Sequence, residues 1–135
     1  MAEAFKFELV SPERLMVSED VEEVVVPGQE GYFTVLAKHA PVMATLQPGV
    51  IEVKTAAGQT ERYCVFGGFV DIMPEACTLL AESAVNVNDI DPADIEQRIS
   101  NAREDVEDAK DDDSRSKAMM YLDQLTTLQG AILPA

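Results

Sequence analysis

"VVVPGQEGYFTVLAKHAPVMATLQPGVIEV", residues 24–53, decides the fold of this chain. Apolar runs of strand length end at Val26, span Tyr32–Leu36 and Val42–Leu46, and resume with Ile51 and Val53. Between them stand Pro27-Gly28-Gln29-Glu30-Gly31, a loop closed by Pro41, and Gln47-Pro48-Gly49. Proline and glycine at that spacing interrupt elements rather than continue them, so the stretch reads as successive strands joined by tight turns. The only histidine, His39, sits in one of these turns beside Lys38. A lone histidine invites a catalytic reading, but catalysis needs a base, an orienter and a nucleophile together. No nucleophile elbow or paired motif accompanies it, and Ala40-Pro41 reads as a rigid turn. His39 therefore reads as part of a shaped surface.

Outward from this stretch the pattern repeats. Phe5, Phe7 and Leu9 alternate with Lys6 and Glu8, and Ile51 and Val53 alternate with Glu52 and Lys54. Such period-two text is that of half-buried strands. Further candidates are Glu22–Val26, Arg62–Phe66, Phe69–Met73 and Cys77–Glu82, with turns at "AAGQ", "FGG" and "MPEA". Many short, evenly spaced strands predict a sandwich or barrel over residues 1–88. No GxGxxG or Walker-type loop occurs, so nucleotide or redox-cofactor chemistry is not expected.

At residue 89 the period changes. Asp91 is an expected N-cap, Pro92 suits the first helical position, and Asp94 favours the helix dipole. Ile95, Ile99, Ala102, Val106 and Ala109 recur at steps of four and three, giving one apolar stripe among acidic residues. "KDDDS" ends that helix and offers a new cap at Asp113 or Ser114. Ala118, Tyr121, Leu122, Leu125 and Leu128 line a second helix, which Gly130 can end. The expected fold is mainly β plus α: an N-terminal β-sandwich (1–88), then an antiparallel two-helix hairpin (89–135).

The totals narrow the function classes. A formal net charge of −15 on 135 residues opposes binding to nucleic-acid phosphates or to an anionic membrane surface. No run reaches the length of a membrane span, and the start lacks the pattern of a signal peptide, so no direct membrane insertion is expected. Cys64 and Cys77 lie in apolar text without CxxC spacing and read as reduced core thiols. With one histidine and two cysteines, no metal site is expected, nor any cofactor. "DDDSR" lacks the glycine and distal glutamate of a calcium loop. With no tryptophan and 6% aromatic residues, a sugar-binding platform is also absent. The residues alone yield an acidic, non-enzymatic binding module.

The quoted stretch also resembles the signature region of the epsilon subunit of F-type ATP synthases, called delta in mitochondria. The matching positions are Gly28, Glu30, Gly31, His39, Ala40, Pro41, Gln47, Pro48 and Gly49, with further matches in "FGGFVDI" and "SPERLM". The resemblance implies a non-catalytic rotor subunit in the central stalk of a proton-driven synthase, peripheral on the cytoplasmic face of the bacterial inner membrane. It implies partners in the gamma subunit and the c-ring, with the hairpin able to reach the alpha and beta subunits. By the same resemblance, Gln29, Glu30, Gly31 and Tyr32 face the ring, and His39, Ala40, Pro41, Val42 and Met43 face gamma. Two departures matter. Many bacterial members carry Ile/Leu-Asp-x-x-Arg-Ala for ATP, but here Ile90 and Asp91 are followed by Asp94 at the arginine position, so ATP binding is not expected. The resemblance also implies a second helix that is often basic and engages an acidic loop of the beta subunits; here Arg115 and Lys117 stand near its start and no basic residue follows them, so a weak regulatory hairpin is expected. The competing reading is an unrelated acidic adaptor or chaperone-like module.

Overall fold

The computed structural model describes residues 3–132, which divide into two compact units after Asn86. Among the described residues the first unit holds nine strands: β1 (Phe5–Val10), β2 (Leu15–Gly28), β3 (Gly31–Val35), β4 (Val42–Leu46), β5 (Gly49–Thr55), β6 (Thr60–Val65), β7 (Gly68–Met73), β8 (Ala76–Ala81) and β9 (Ala84–Asn86). Their hydrogen-bonded order is β1-β8-β7-β4-β2-β5-β6-β9, with β3 on β2 and β1 closing onto β2. The long β2 strand belongs to both layers of the resulting β-sandwich. Its first half pairs with β1 and its second half with β5 and β3. A register shift between Val21 and Glu23 marks where it passes from one layer to the other.

The alternation read from the sequence fills the space between the layers. Phe5, Phe7 and Leu9 from β1, Val21, Val24 and Val26 from β2, Ile51 and Val53 from β5, Val70 and Ile72 from β7, and Cys77 and Leu79 from β8 are all buried there. Among the described residues, the buried side chains of this core come from the first unit. Burying each aliphatic side chain contributes about 1.5–3 kcal/mol relative to leaving it exposed, which is what holds the short strands in register.

A 3-10 turn at Val87–Asp89 leads into the second unit, an antiparallel pair of helices, α1 (Pro92–Asp108) and α2 (Asp112–Ile132). The Asp91 side chain accepts a 2.9 Å hydrogen bond from the Ala93 amide, as its place before Pro92 predicts. Ile95, Ile99 and Ala102 on α1, and Leu125 and Leu128 on α2, are buried. Gln129 Nε2 donates to Glu96 Oε1 at 2.9 Å across the pair. Two local expectations are corrected. The α2 cap is Asp111, whose carboxylate accepts from the Ser114 amide at 2.7 Å, not Asp113 or Ser114. Those amides lie one turn inside, where Asp111 can satisfy them. Gly130 does not end the helix, because Leu125 and Leu128 anchor the turn before it and α2 runs on to Ile132.

Candidate functional site

Pro27 and Gly28 end β2, and Gly28 pairs with Gly31, leaving Gln29 and Glu30 as a two-residue loop. Gly31 has φ 140°, a conformation that side-chain-bearing residues rarely adopt. The turn is bolted to its neighbour. The Gln29 amide donates to the Thr45 carbonyl at 2.9 Å, and the Gln47 amide donates to the Pro27 carbonyl at 3.0 Å. Gln47 Nε2 donates to the Gly28 carbonyl at 2.7 Å. The Val50 amide donates to the Tyr32 hydroxyl at 3.1 Å. A Cβ at Gly49 would collide with that hydroxyl and with the Pro27 ring, so glycine there is what lets the two turns close. A small exposed loop is thereby held from several sides by backbone and side chain.

His39 lies in the loop between β3 and β4. Its amide donates to the Leu36 carbonyl at 3.2 Å, and Lys38 has φ 66°, held by a 2.9 Å bond from its own amide to the Pro74 carbonyl. The His39 Nδ1 atom is 2.7 Å from the Ala40 carbonyl, to which its N–H form donates. Lys38 Nζ reaches Glu3 at 3.1 Å on the surface. These contacts shape a loop. Among the described residues no group of His, Cys, Asp and Glu side chains has the arrangement of a metal site. Burial, and then Asp71, push the Cys77 thiol up to about 12, so it stays protonated and inert as a nucleophile.

The structure brings together residues that the sequence placed in two groups. Gln29, Glu30 and Gly31 share one open cleft of about 440 Å³ with Met43, together with Phe33 and Thr45. Met43 is 72% exposed, more than any other large apolar side chain among the described residues of the sandwich. His39, Ala40 and Pro41 do not line this cleft.

Beside it runs a feature the sequence reading missed. Strand register places Leu15, Val10, Leu80 and Phe69 in a row across β2, β1, β8 and β7. Leu15, Leu80 and Phe69 are each about half exposed. An almost wholly apolar groove of about 310 Å³ lies along this row, from Val10 and Pro12 to Phe69 and Leu80. Contiguous exposed apolar surface of this kind marks a partner contact. Part of the signal was present in "FVDIM": once Val70 and Ile72 are turned inward, Phe69 and Met73 must point out. That the four side chains line up depends on strand order, which one sequence does not display.

The profile of the ATP synthase, Delta/Epsilon chain, beta-sandwich domain matches residues 4–87. The chain belongs to this family. It is 70% identical over all 135 residues to the ATP synthase epsilon chain of Mesorhizobium japonicum, with both chains fully covered. It is 62% identical, again over both full lengths, to the ATP synthase epsilon chain of Brucella canis. Among solved structures, a chain of the Euglena gracilis mitochondrial ATP synthase matches with TM-score 0.73 at 23% identity, over 95% of this chain and 81% of that one. A chain from the central stalk and c-ring of the Tetrahymena thermophila enzyme matches with TM-score 0.72 at 12% identity, over 97% and 98%. At such identities these likenesses concern the fold. In this epsilon-chain member, no described helix is long and apolar enough to cross a membrane.

Proposed function

We propose that the chain is the central-stalk joint of a proton-driven F-type ATP synthase, seated between the gamma subunit and the c-ring at the cytoplasmic face of the bacterial inner membrane. The observation that carries this reading is the braced pair of turns at Gln29–Tyr32 and Gln47–Val50. A joint that passes torque must present its contact loop without letting it yield, and hydrogen bonds from several directions do that better than a free hairpin. Gln29, Glu30, Gly31 and Tyr32 supply the ring contact. His39–Met43 and the apolar row from Leu15 to Phe69 supply the face for gamma, since half-exposed leucine and phenylalanine gain most from a large permanent interface. The chain contributes no catalytic group. It couples rotation to synthesis by holding two partners in fixed relation.

Cross-linking in assembled membranes tests this. The native Cys64 and Cys77 are buried, so a cysteine added on the surface reacts alone. Glu30→Cys is expected to link to a ring subunit, and Met43→Cys or Phe69→Cys to gamma. Links from Glu30→Cys to gamma, or none to either partner from all three variants, would overturn the reading.

A further inference from the structure

Glu19 is a charged residue on an inward-facing position. It stands opposite Phe7 in the β1–β2 ladder, in the same row as Val17 and Val21, and β1 turns Phe5, Phe7 and Leu9 into the core. Its Oε1 atom is buried and, among the described residues, has no hydrogen-bond partner. A buried carboxylate oxygen without a donor is costly. Register turns a second acceptor inward as well: Glu61 on β6 pairs with the buried Val53, Glu19 and Glu61 act on each other there, and the Tyr63 hydroxyl donates to Glu61 Oε1 at 3.4 Å. Two carboxylates and one phenol at a sandwich end satisfy one another only if one carboxyl keeps its proton.

We propose that Glu19 and Glu61 hold a single proton between them, forming a proton-binding site across the two layers that empties as the medium turns alkaline. In the filled state the Glu19 O–H donates to a Glu61 oxygen, and Tyr63 donates to the same carboxylate. In the empty state the proton has passed to solvent and two like charges face each other. This site is separate from the braced turn and does not depend on its reading.

The other groups that face this point do not neutralise it. From β6, Tyr63 is kept in its phenol form, pushed up to about 12 by burial and by the charges of Glu61 and Glu19. From β8, across Phe7, Cys77 is a buried neutral thiol. From β5, Thr55 pairs with Val21 and is uncharged. Among the charged neighbours on these strands, Lys6, Asp20, Glu52, Lys54 and Arg62 are exposed at the outer faces, while Glu8, Glu22, Glu23 and Asp71 are half-buried carboxylates, which cannot neutralise another carboxylate. Lys54 is engaged there with Glu22 at 3.7 Å. Burial first, then hydrogen bonding to Glu61 and its charge, push the Glu19 carboxyl up from 4.5 to about 7. A carboxyl raised on folding stabilises the fold fully below its unfolded value, and that contribution is lost as pH rises through about 7.

The test is a carbon-13 NMR titration of the glutamate side-chain carboxyls in the full chain, with Glu19→Gln and Glu61→Gln alongside. One glutamate should titrate near neutral pH in the wild type, vanish in E19Q, and move to lower pH in E61Q. In E19Q the amide takes the donor role permanently. Relative to wild type, the hydrogen-exchange protection of β2 and β6 amides should then rise by about tenfold or more between pH 5 and pH 8. The proposal is overturned if every wild-type glutamate titrates below about pH 5.5. It is equally overturned if a near-neutral titration persists unchanged in both variants.

Discussion

Gln47 and Gly28 lie 19 positions apart in the chain, yet Gln47 Nε2 donates a 2.7 Å hydrogen bond to the Gly28 carbonyl. The bond fastens the two-residue loop of Gln29 and Glu30 to the turn before β5. Because the Gln47 side chain is half-buried, water replaces it only in part. Gln47→Ala should cost about 1 kcal/mol of sandwich stability, the usual worth of such a bond. ATP synthesis in membranes carrying the variant should fall more than its stability loss alone explains. Synthesis at the wild-type rate, with the loop amides exchanging faster, would show that the brace is not needed for coupling.

Two glycines with positive φ should respond differently to substitution. Gly68 has φ 128°, and a Cβ there would run into the Leu80 carbonyl of the neighbouring strand. Gly31 has φ 140°, but a Cβ there meets nothing within 4 Å. Gly68→Ala is therefore expected to lose more than about 3 kcal/mol, because backbone strain and a backbone collision add. Gly31→Val should lose about 1–3 kcal/mol from strain alone and stay folded, while weakening proton-driven synthesis. Thermal melts rank the pair, and equal losses would mean that the collision at Gly68 is relieved cheaply.

The contrast between these glycines and their surroundings shows what was legible. Strands bounded by proline or glycine turns, such as β4 between Pro41 and Pro48 and β7 between Gly67 and Pro74, are placed from the sequence nearly to the residue. The first half of β2 was not. Ser18, Glu19, Asp20, Glu22 and Glu23 break its alternation, since one of them faces the core and a bulge resets the rest. The edge strand β9 is too short to carry a period. Within the candidate site, the turn glycines and prolines announced themselves. The bonds of Gln47 and Tyr32, and the row from Leu15 to Phe69, arise from pairings between distant strands.

ATP should not bind at the start of α1. Asp94 stands at the arginine position of the pattern Ile/Leu-Asp-x-x-Arg-Ala, and its carboxylate is paired with Arg98 at 3.1 Å. A phosphate brought to about 4 Å from that carboxylate would meet a repulsion of about 1–4 kcal/mol in an exposed setting. Calorimetry should detect no micromolar ATP site, with or without magnesium. A measured micromolar affinity would mean that other groups of the second unit hold the phosphates.

The α2 cap gives a pH-dependent expectation of opposite sign to that of Glu19. Hydrogen bonds from the Ser114 amide and hydroxyl hold the Asp111 carboxyl below its usual value of 3.8. A depressed carboxyl stabilises above its unfolded value, and the contribution is lost as pH falls through the folded one. Asp111→Asn should keep the cap but remove this acid dependence, whereas Asp111→Ala should fray the first turn at all pH values. Amide exchange at Ser114 and Arg115 reports both. Equal protection in wild type and D111A would show that the cap contributes nothing.

Removal of the hairpin tests whether it acts as a brake. Among the described residues, the buried side chains of the sandwich core come from positions up to Ala81, all of which a chain ending before Asp91 keeps. It should fold, assemble and support synthesis. A hairpin that blocked rotation during hydrolysis would need more favourable contacts in its blocking position than in its resting one. Basic side chains are the groups best suited to a contact with acidic partner loops. In α2, Arg115 is paired with Asp112 at 3.1 Å and Lys117 with Asp113 at 3.2 Å, so each is already balanced by a neighbour. The second unit is also rich in carboxylates, which such loops would repel. The truncated chain should accordingly raise ATP hydrolysis in membranes only slightly. Activation of tenfold or more, about 1.4 kcal/mol in barrier terms, would show instead that the apolar stripe of Leu122, Leu125 and Leu128 alone suffices to hold the rotor.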